Sequence, residues 1–131
     1  MAIESRHLSI FITRPPAEVY GYAANPAHLP LWAAGLATGI EQLEGRWVSQ
    51  SPMGTVVVEF APANEYGVLD HQVMLPSGQS FYNPMRVIAD SGGSEVIFTS
   101  RREEGTEPAD YERDCVMIAE DLQSLKRVLE N

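Results

Sequence analysis

The chain has one cysteine, Cys115, among its 131 residues, so no disulfide can close within it. That suits a reducing compartment. Lysine also occurs once, at Lys126. A solvated position is expected for it beside an inward-facing Leu125, which removes the usual Schiff-base nucleophile. Positive charge is short overall: nine Lys and Arg face eighteen Asp and Glu, a formal net charge of -9. Such a surface repels phosphate backbones and anionic lipid heads, so nucleic acid and membrane surfaces are poor partners. No stretch approaches the ~18 apolar residues of a membrane span. Glu4, His7 and Ser9 interrupt the first segment, MAIESRHLSIFITR, where a signal peptide needs an unbroken apolar core. A cytoplasmic location is expected. The sequence also has no G-x-S-x-G element of a serine hydrolase, and the glycines of DSGGSE join two strands instead of opening a phosphate-binding helix. His7, His28, His71 and Cys115 show no short metal-ligand spacing. Neither metal nor cofactor is implied.

What is present is an ordinary soluble core: 44% of residues are hydrophobic, and residues 1–131 fit one domain. HLSIFITR reads as a strand ended by Pro15 and Pro16, which can start a helix over AEVYGYAAN. Asn25-Pro26 breaks that helix, and AHLPLWAAGL reads as a second, interrupted or kinked at Pro30. From residue 39 to about 103, short β-type runs alternate with the turn clusters SPMG, APANEYG, LPSGQ and DSGGS. Five strands are expected there. Over Pro108 to Glu130, the residues Tyr111, Cys115, Ile118, Leu122, Leu125 and Leu129 recur at spacings of 4, 3, 4, 3 and 4. This is one face of a long helix that needs a sheet to lie on. Cys115 falls in that apolar row and reads as a small core residue, with a reactive thiol as the alternative.

Antiparallel partners must share a face, which tests the meander internally. Folding about its turns pairs Trp47 with Val58, Ser49 with Val56, Phe60 with Leu69 and Val58 with His71. It also pairs His71 with Met85, Val73 with Asn83, Leu75 with Phe81, Asn83 with Ser100, Met85 with Phe98 and Val87 with Val96. All these registers agree on one inner face. Arg46, Glu59, Asp70, Gln72, Arg86, Glu95 and Arg101 collect on the other, as on a solvent side. His71 therefore faces inward among aliphatic residues.

The order strand, two short helices, curved meander and long helix is that of the helix-grip fold. ITRPPAEVYGYAANPAHLPLW resembles the opening of the START-like (SRPBCC, polyketide cyclase/dehydrase-like) superfamily, with Pro16-Ala17-Glu18-Val19, Asn25-Pro26 and Trp32 as its marks. GVLDHQVMLPSGQSFYNPMRVIADSGGSEVIFTSRRE and the terminal helix resemble uncharacterised bacterial members of the same group. The resemblance implies an α+β fold, a curved antiparallel six-stranded sheet in the order β-α-α-β5-α, wrapped on the C-terminal helix. It also implies a ligand cavity between sheet and helix. The sheet wall would hold Trp47, Val58, Phe60, His71, Val73, Phe81, Asn83, Met85, Phe98 and Ser100. The helix wall would hold Tyr111, Cys115, Ile118 and Leu122.

Such a lining suits a small hydrophobic or aromatic molecule. The same side chains could instead fill a solid core. A polyketide cyclase/aromatase-type enzyme and an interaction module resembling chaperone-ATPase activators are the other readings of the fold. A homodimer is compatible with the sequence but not indicated by it. His71 is the candidate catalytic group, since an imidazole can act as a general base. It could equally contact a ligand, or rest neutral against Asn83, Tyr111 or a trapped water. Tyr111 reads either as an anchor between helix and sheet or as a functional phenol. The acidic residues Glu103, Glu104, Glu107 and Asp110 read as a solvated loop near the cavity mouth.

Overall fold

The computed structural model describes residues 3–36, 38–51 and 54–131. Pro52 and Met53 of the expected SPMG turn lie outside them. Strand β1 (Ser5–Ile12) is followed by helix α1 (Pro16–Ala23), a helical turn at Pro26–His28, helix α2 (Leu29–Trp32) and a second turn at Ala34–Leu36. The meander comprises β2 (Glu41–Leu43), β3 (Arg46–Ser51), β4 (Gly54–Phe60), β5 (His71–Met74), β6 (Ser80–Asn83), β7 (Met85–Asp90) and β8 (Gly93–Arg101). Helix α3 (Pro108–Glu130) closes the chain.

Proline places three of the helix starts. Pro16, Pro30 and Pro108 occupy first-turn positions, where a missing N–H costs nothing. Pro30 thus lies in the first turn of α2, and the segment is interrupted between the turn at Pro26–His28 and α2, not kinked within a longer helix. Tyr111, Cys115, Leu122, Leu125 and Leu129 of α3 are buried. Ile118, in the same row, is only half-buried, because it faces a void and not the packed core. Lys126 is not simply solvated: its Nζ donates to the Phe11 carbonyl at 2.7 Å and pairs with Glu130 at 2.8 Å, tying α3 to β1. The same Glu130 carboxylate accepts the Thr13 N–H at 2.9 Å, and these donors hold it down to about 2.

The sheet has eight strands among the described residues, where six were expected. All are antiparallel, in two ladders ordered β1-β8-β7 and β2-β3-β4-β5-β6. One added strand is the short β2. The other comes from Pro84, which divides an expected single strand into β6 and β7. The ladders are joined where Gly67–Leu69 runs beside β7: Leu69 N–H donates to Met85 O at 2.8 Å and Val87 N–H to Gly67 O at 2.9 Å.

The expected pairs Trp47–Val58, Ser49–Val56, Met85–Phe98 and Val87–Val96 are found. The middle registers slide by two residues. Val58 lies opposite Val73 and Phe60 opposite His71, while His71 lies opposite Asn83 and Val73 opposite Phe81. A slip of two preserves the inward face, so His71 still points to the interior. Asn83 and Ser100 form no ladder pair. Thr99 N–H still donates to Pro84 O at 2.9 Å, but β6 pairs with β5 and leaves β8 there. The core gathers Ile12, Val19, Leu69, Met85, Val96, Leu122 and Leu125 beneath α1 and α3.

Candidate functional site

Between the curved sheet, the α2 segment and α3 lies a cavity of about 430 Å³. Val58, Val73, Phe81 and Phe98 form its sheet wall, Leu29, Trp32 and Leu36 a second wall, and Ile118 and Leu122 part of a third. Tyr82 and Met117 stand at its rim and are exposed to solvent. Of the candidate residues, Val58, His71, Phe81, Asn83, Phe98, Ser100, Tyr111 and Ile118 line this void. Trp47, Phe60, Met85 and Cys115 do not. Met85 and Cys115 are buried in packed protein, Phe60 sits behind the His71 ring, and Trp47 lies toward the outer strands of the five-stranded ladder.

His71 is 8% exposed. Its ring stacks on Phe60 with centroids 4.9 Å apart and meets Phe98 edge-on at 5.8 Å. It bonds neither Asn83 nor Tyr111; Nδ1 lies 3.0 Å from the Leu69 carbonyl. A carbonyl only accepts, so Nδ1 carries the hydrogen and, in the neutral ring, Nε2 keeps its lone pair. The local backbone explains why that carbonyl is available. Opposed residues in an antiparallel ladder commonly exchange two bonds. Leu69 N–H donates to Met85 O, but Met85 N–H turns to Asp70 Oδ1 at 2.9 Å. Asp70 thus spares the Leu69 carbonyl for the imidazole. Its other oxygen accepts from Tyr82 Oη at 2.7 Å, which raises the Tyr82 pKa. Burial is the main influence on His71 and lowers its pKa, against smaller opposing effects of the Leu69 bond and the Asp70 charge. The ring is neutral at pH 7.

Tyr111 Oη donates to the Ser100 carbonyl at 2.7 Å, so this phenol fastens α3 to β8. Asp121, on the cavity side of α3, accepts the Ala34 N–H at 3.1 Å, and burial raises its carboxyl pKa. Trp32 Nε1 is buried without a partner. In the apolar row of α3, Tyr111, Ile118 and Leu122 line the void and Cys115, Leu125 and Leu129 are buried away from it. Asp114, Met117 and Asp121, one step around the helix, also reach the void. Leu29, Trp32 and Leu36 were likewise not among the candidates. Their apolar spacing marks a buried face but not the space in front of it.

No family model matches the chain, and no curated protein matches it in sequence. Solved structures do match. An uncharacterised protein from Bacillus thuringiensis has 15% identity and a TM-score of 0.74, over 98% of this chain and 100% of that one. The Aha1 dimer from Colwellia psychrerythraea has 19% identity and a TM-score of 0.72, over 98% and 97%. DynU16, a protein of the dynemicin biosynthetic locus, has 11% identity and a TM-score of 0.74; 99% of this chain covers 48% of that one. The fold is the helix-grip fold. At these identities the likeness is one of architecture, and the site is argued from its own residues. No helix among the described residues is long and apolar enough to cross a membrane. No group of three His, Cys, Asp or Glu among them could hold a metal ion.

Proposed function

We propose that this protein binds a small, largely apolar or aromatic molecule between the curved sheet and α3. One observation carries the reading: a void of about 430 Å³ with mostly apolar walls contains a buried imidazole whose Nε2 has no partner among the described residues. Ligand sites commonly enclose ~300–1,000 Å³, with a few polar groups that fix orientation. A concave apolar surface of this size, left unpacked between sheet and helix, forgoes burial that a filled core would gain. That one structural neighbour comes from a biosynthetic locus agrees with small-molecule chemistry.

Titration with Nile red, a neutral polarity-sensitive dye, tests the reading. Blue-shifted, saturable emission is expected. Ala33→Trp, which grows a side chain from the cavity wall, should weaken it while the far-UV circular dichroism is unchanged. Equal binding by that folded variant, or none by the wild type, would refute the cavity as a ligand site.

A second reading has one observation in its favour. A neutral imidazole with a free lone pair can take a proton from an acidic carbon, as an enzyme of the cyclase type requires. Tyr111 is committed to Ser100 and supplies no partner acid, so the reading rests on His71 alone. Benzoylacetone in deuterated buffer tests it: His71 should accelerate exchange at the central carbon, and His71→Asn should not. No acceleration by the wild type would remove the enzyme reading.

A further inference from the structure

We infer that the cavity selects neutral or cationic aromatic molecules that offer a hydrogen-bond donor, such as a phenol or an aromatic amine, to His71 Nε2, and rejects aromatic carboxylates. The inference rests on the cavity being a ligand site. It follows from which polar groups there have a fixed sense. The hydroxyl of Ser100 and the carboxamide of Asn83 can each donate or accept, so they adapt to whatever arrives. His71 cannot adapt in this way. Leu69 O holds the hydrogen on Nδ1, and burial keeps the ring neutral, so Nε2 can only accept. With a ligand seated, an unpaired Nε2 would lose its contact with water and gain nothing in return. A matching donor avoids that loss.

Charge points the same way. Glu103, Asp114 and Asp121 line the cavity, against one guanidinium, Arg101; Arg101 and Asp114 are exposed, whereas Glu103 and Asp121 are half-buried. Asp121 is held in place by the Ala34 N–H and is partly desolvated. A ligand carboxylate brought near it would meet like charge at reduced screening. The remaining fixed donor, Trp32 Nε1, is sealed within the protein and has no exposed surface toward a ligand. Acceptors therefore dominate the accessible lining.

Three probes substituted at the same ring position separate the possibilities: naphthol, methoxynaphthalene and naphthoate, each competing with Nile red. Naphthol should displace the dye about ten-fold more effectively than methoxynaphthalene, the worth of one net hydrogen bond. Naphthoate should be the weakest. His71→Leu should abolish the naphthol advantage while methoxynaphthalene still binds. Should that variant fail to fold, His71→Asn keeps a donor for the Leu69 carbonyl and removes the acceptor from the Nε2 position. Asp121→Asn, which can still accept from Ala34, should narrow the deficit of naphthoate. Equal displacement by naphthol and methoxynaphthalene would overturn the donor inference and leave the cavity reading standing. If Nile red and all three naphthalenes fail to bind, both fall.

Discussion

A buried neutral histidine makes stability depend on pH in a defined direction. In the unfolded chain His71 takes a proton near pH ~6.5. In the folded chain burial disfavours the charged ring, so its pKa lies lower. Between those two values the unfolded state binds the extra proton, and stability falls as pH falls. It is fully present above the unfolded pKa and stops declining below the folded one. Between about pH 7.5 and 5.5 that loss is bounded above by about 1.4 kcal/mol, one tenfold protonation step of the unfolded state. Asp70 and the cavity residues Glu103, Asp114, Asp121 and Arg101 are the charged neighbours, and all are present in both proteins compared. Urea unfolding of wild type and His71→Asn at the two pH values isolates the effect. His7 and His28 cancel in the comparison, as does Glu130, whose transition lies near 2. The variant is expected to be less stable throughout, because it loses the ring stack on Phe60. The wild type should nonetheless lose up to about 1.4 kcal/mol more than the variant on acidification. Equal losses would mean that His71 protonates in place as readily as in water, and burial would not be what holds the ring neutral.

Two tyrosines should respond oppositely to loss of their hydroxyls. Tyr111→Phe leaves the Ser100 carbonyl without its 2.7 Å donor and should cost about 1–3 kcal/mol in urea unfolding. Tyr22→Phe removes a hydroxyl buried without a partner and should leave stability unchanged or raise it by up to about 1 kcal/mol. Two glycines should also differ. Gly67 has φ +70°, and a Cβ there would stand 2.3 Å from Val87 O, so Gly67→Ala should cost more than about 2 kcal/mol by the same assay. Gly21, helical and with open space around its Cβ position, should instead gain about 0.5–1 kcal/mol as Gly21→Ala. Finally, Asp70→Ala frees Met85 N–H to compete for the Leu69 carbonyl. Ring nitrogen chemical shifts should then report mixed His71 tautomers, where wild type shows hydrogen on Nδ1 alone.

How far the sequence specified this arrangement differs from element to element. Helix α3 was legible to its ends, because Pro108 marks the start and the 3–4 spacing runs to Leu129. The β3–β4 and β7–β8 registers were legible because their connections are short, which leaves the strands little room to slide. The β4–β5 and β5–β6 registers were legible only in parity. Alternation forbids a slip of one residue but permits a slip of two, and residues 61–70 and 75–79 are long enough to absorb it. Parity sufficed to turn His71, Phe81 and Phe98 inward. It could not show that Trp32 and Asp121 would meet them, since the approach of α2 and α3 is set by tertiary packing. Nor did periodicity separate the filled part of the interior, around Met85 and Cys115, from the void.

The one strong local signal that the periodic pattern passes over is Pro84. It lies opposite Asp70 in the register fixed by His71–Asn83 and Val68–Arg86, and it has no N–H to give to a ladder. On its N-terminal side β6 pairs only with β5; on the other side β7 pairs with β8. The face that an unbroken strand would close by pairing Asn83 with Ser100 is therefore left open, and both residues line the cavity. At the same break the Asp70 carboxylate takes the Met85 N–H, and the Leu69 carbonyl passes to His71. The interruption that opens space beside β8 thus also fixes which nitrogen of the imidazole faces that space. Cavity and hydrogen-bond sense share one structural origin, so a substitution that restored the ladder at this point would be expected to disturb both together.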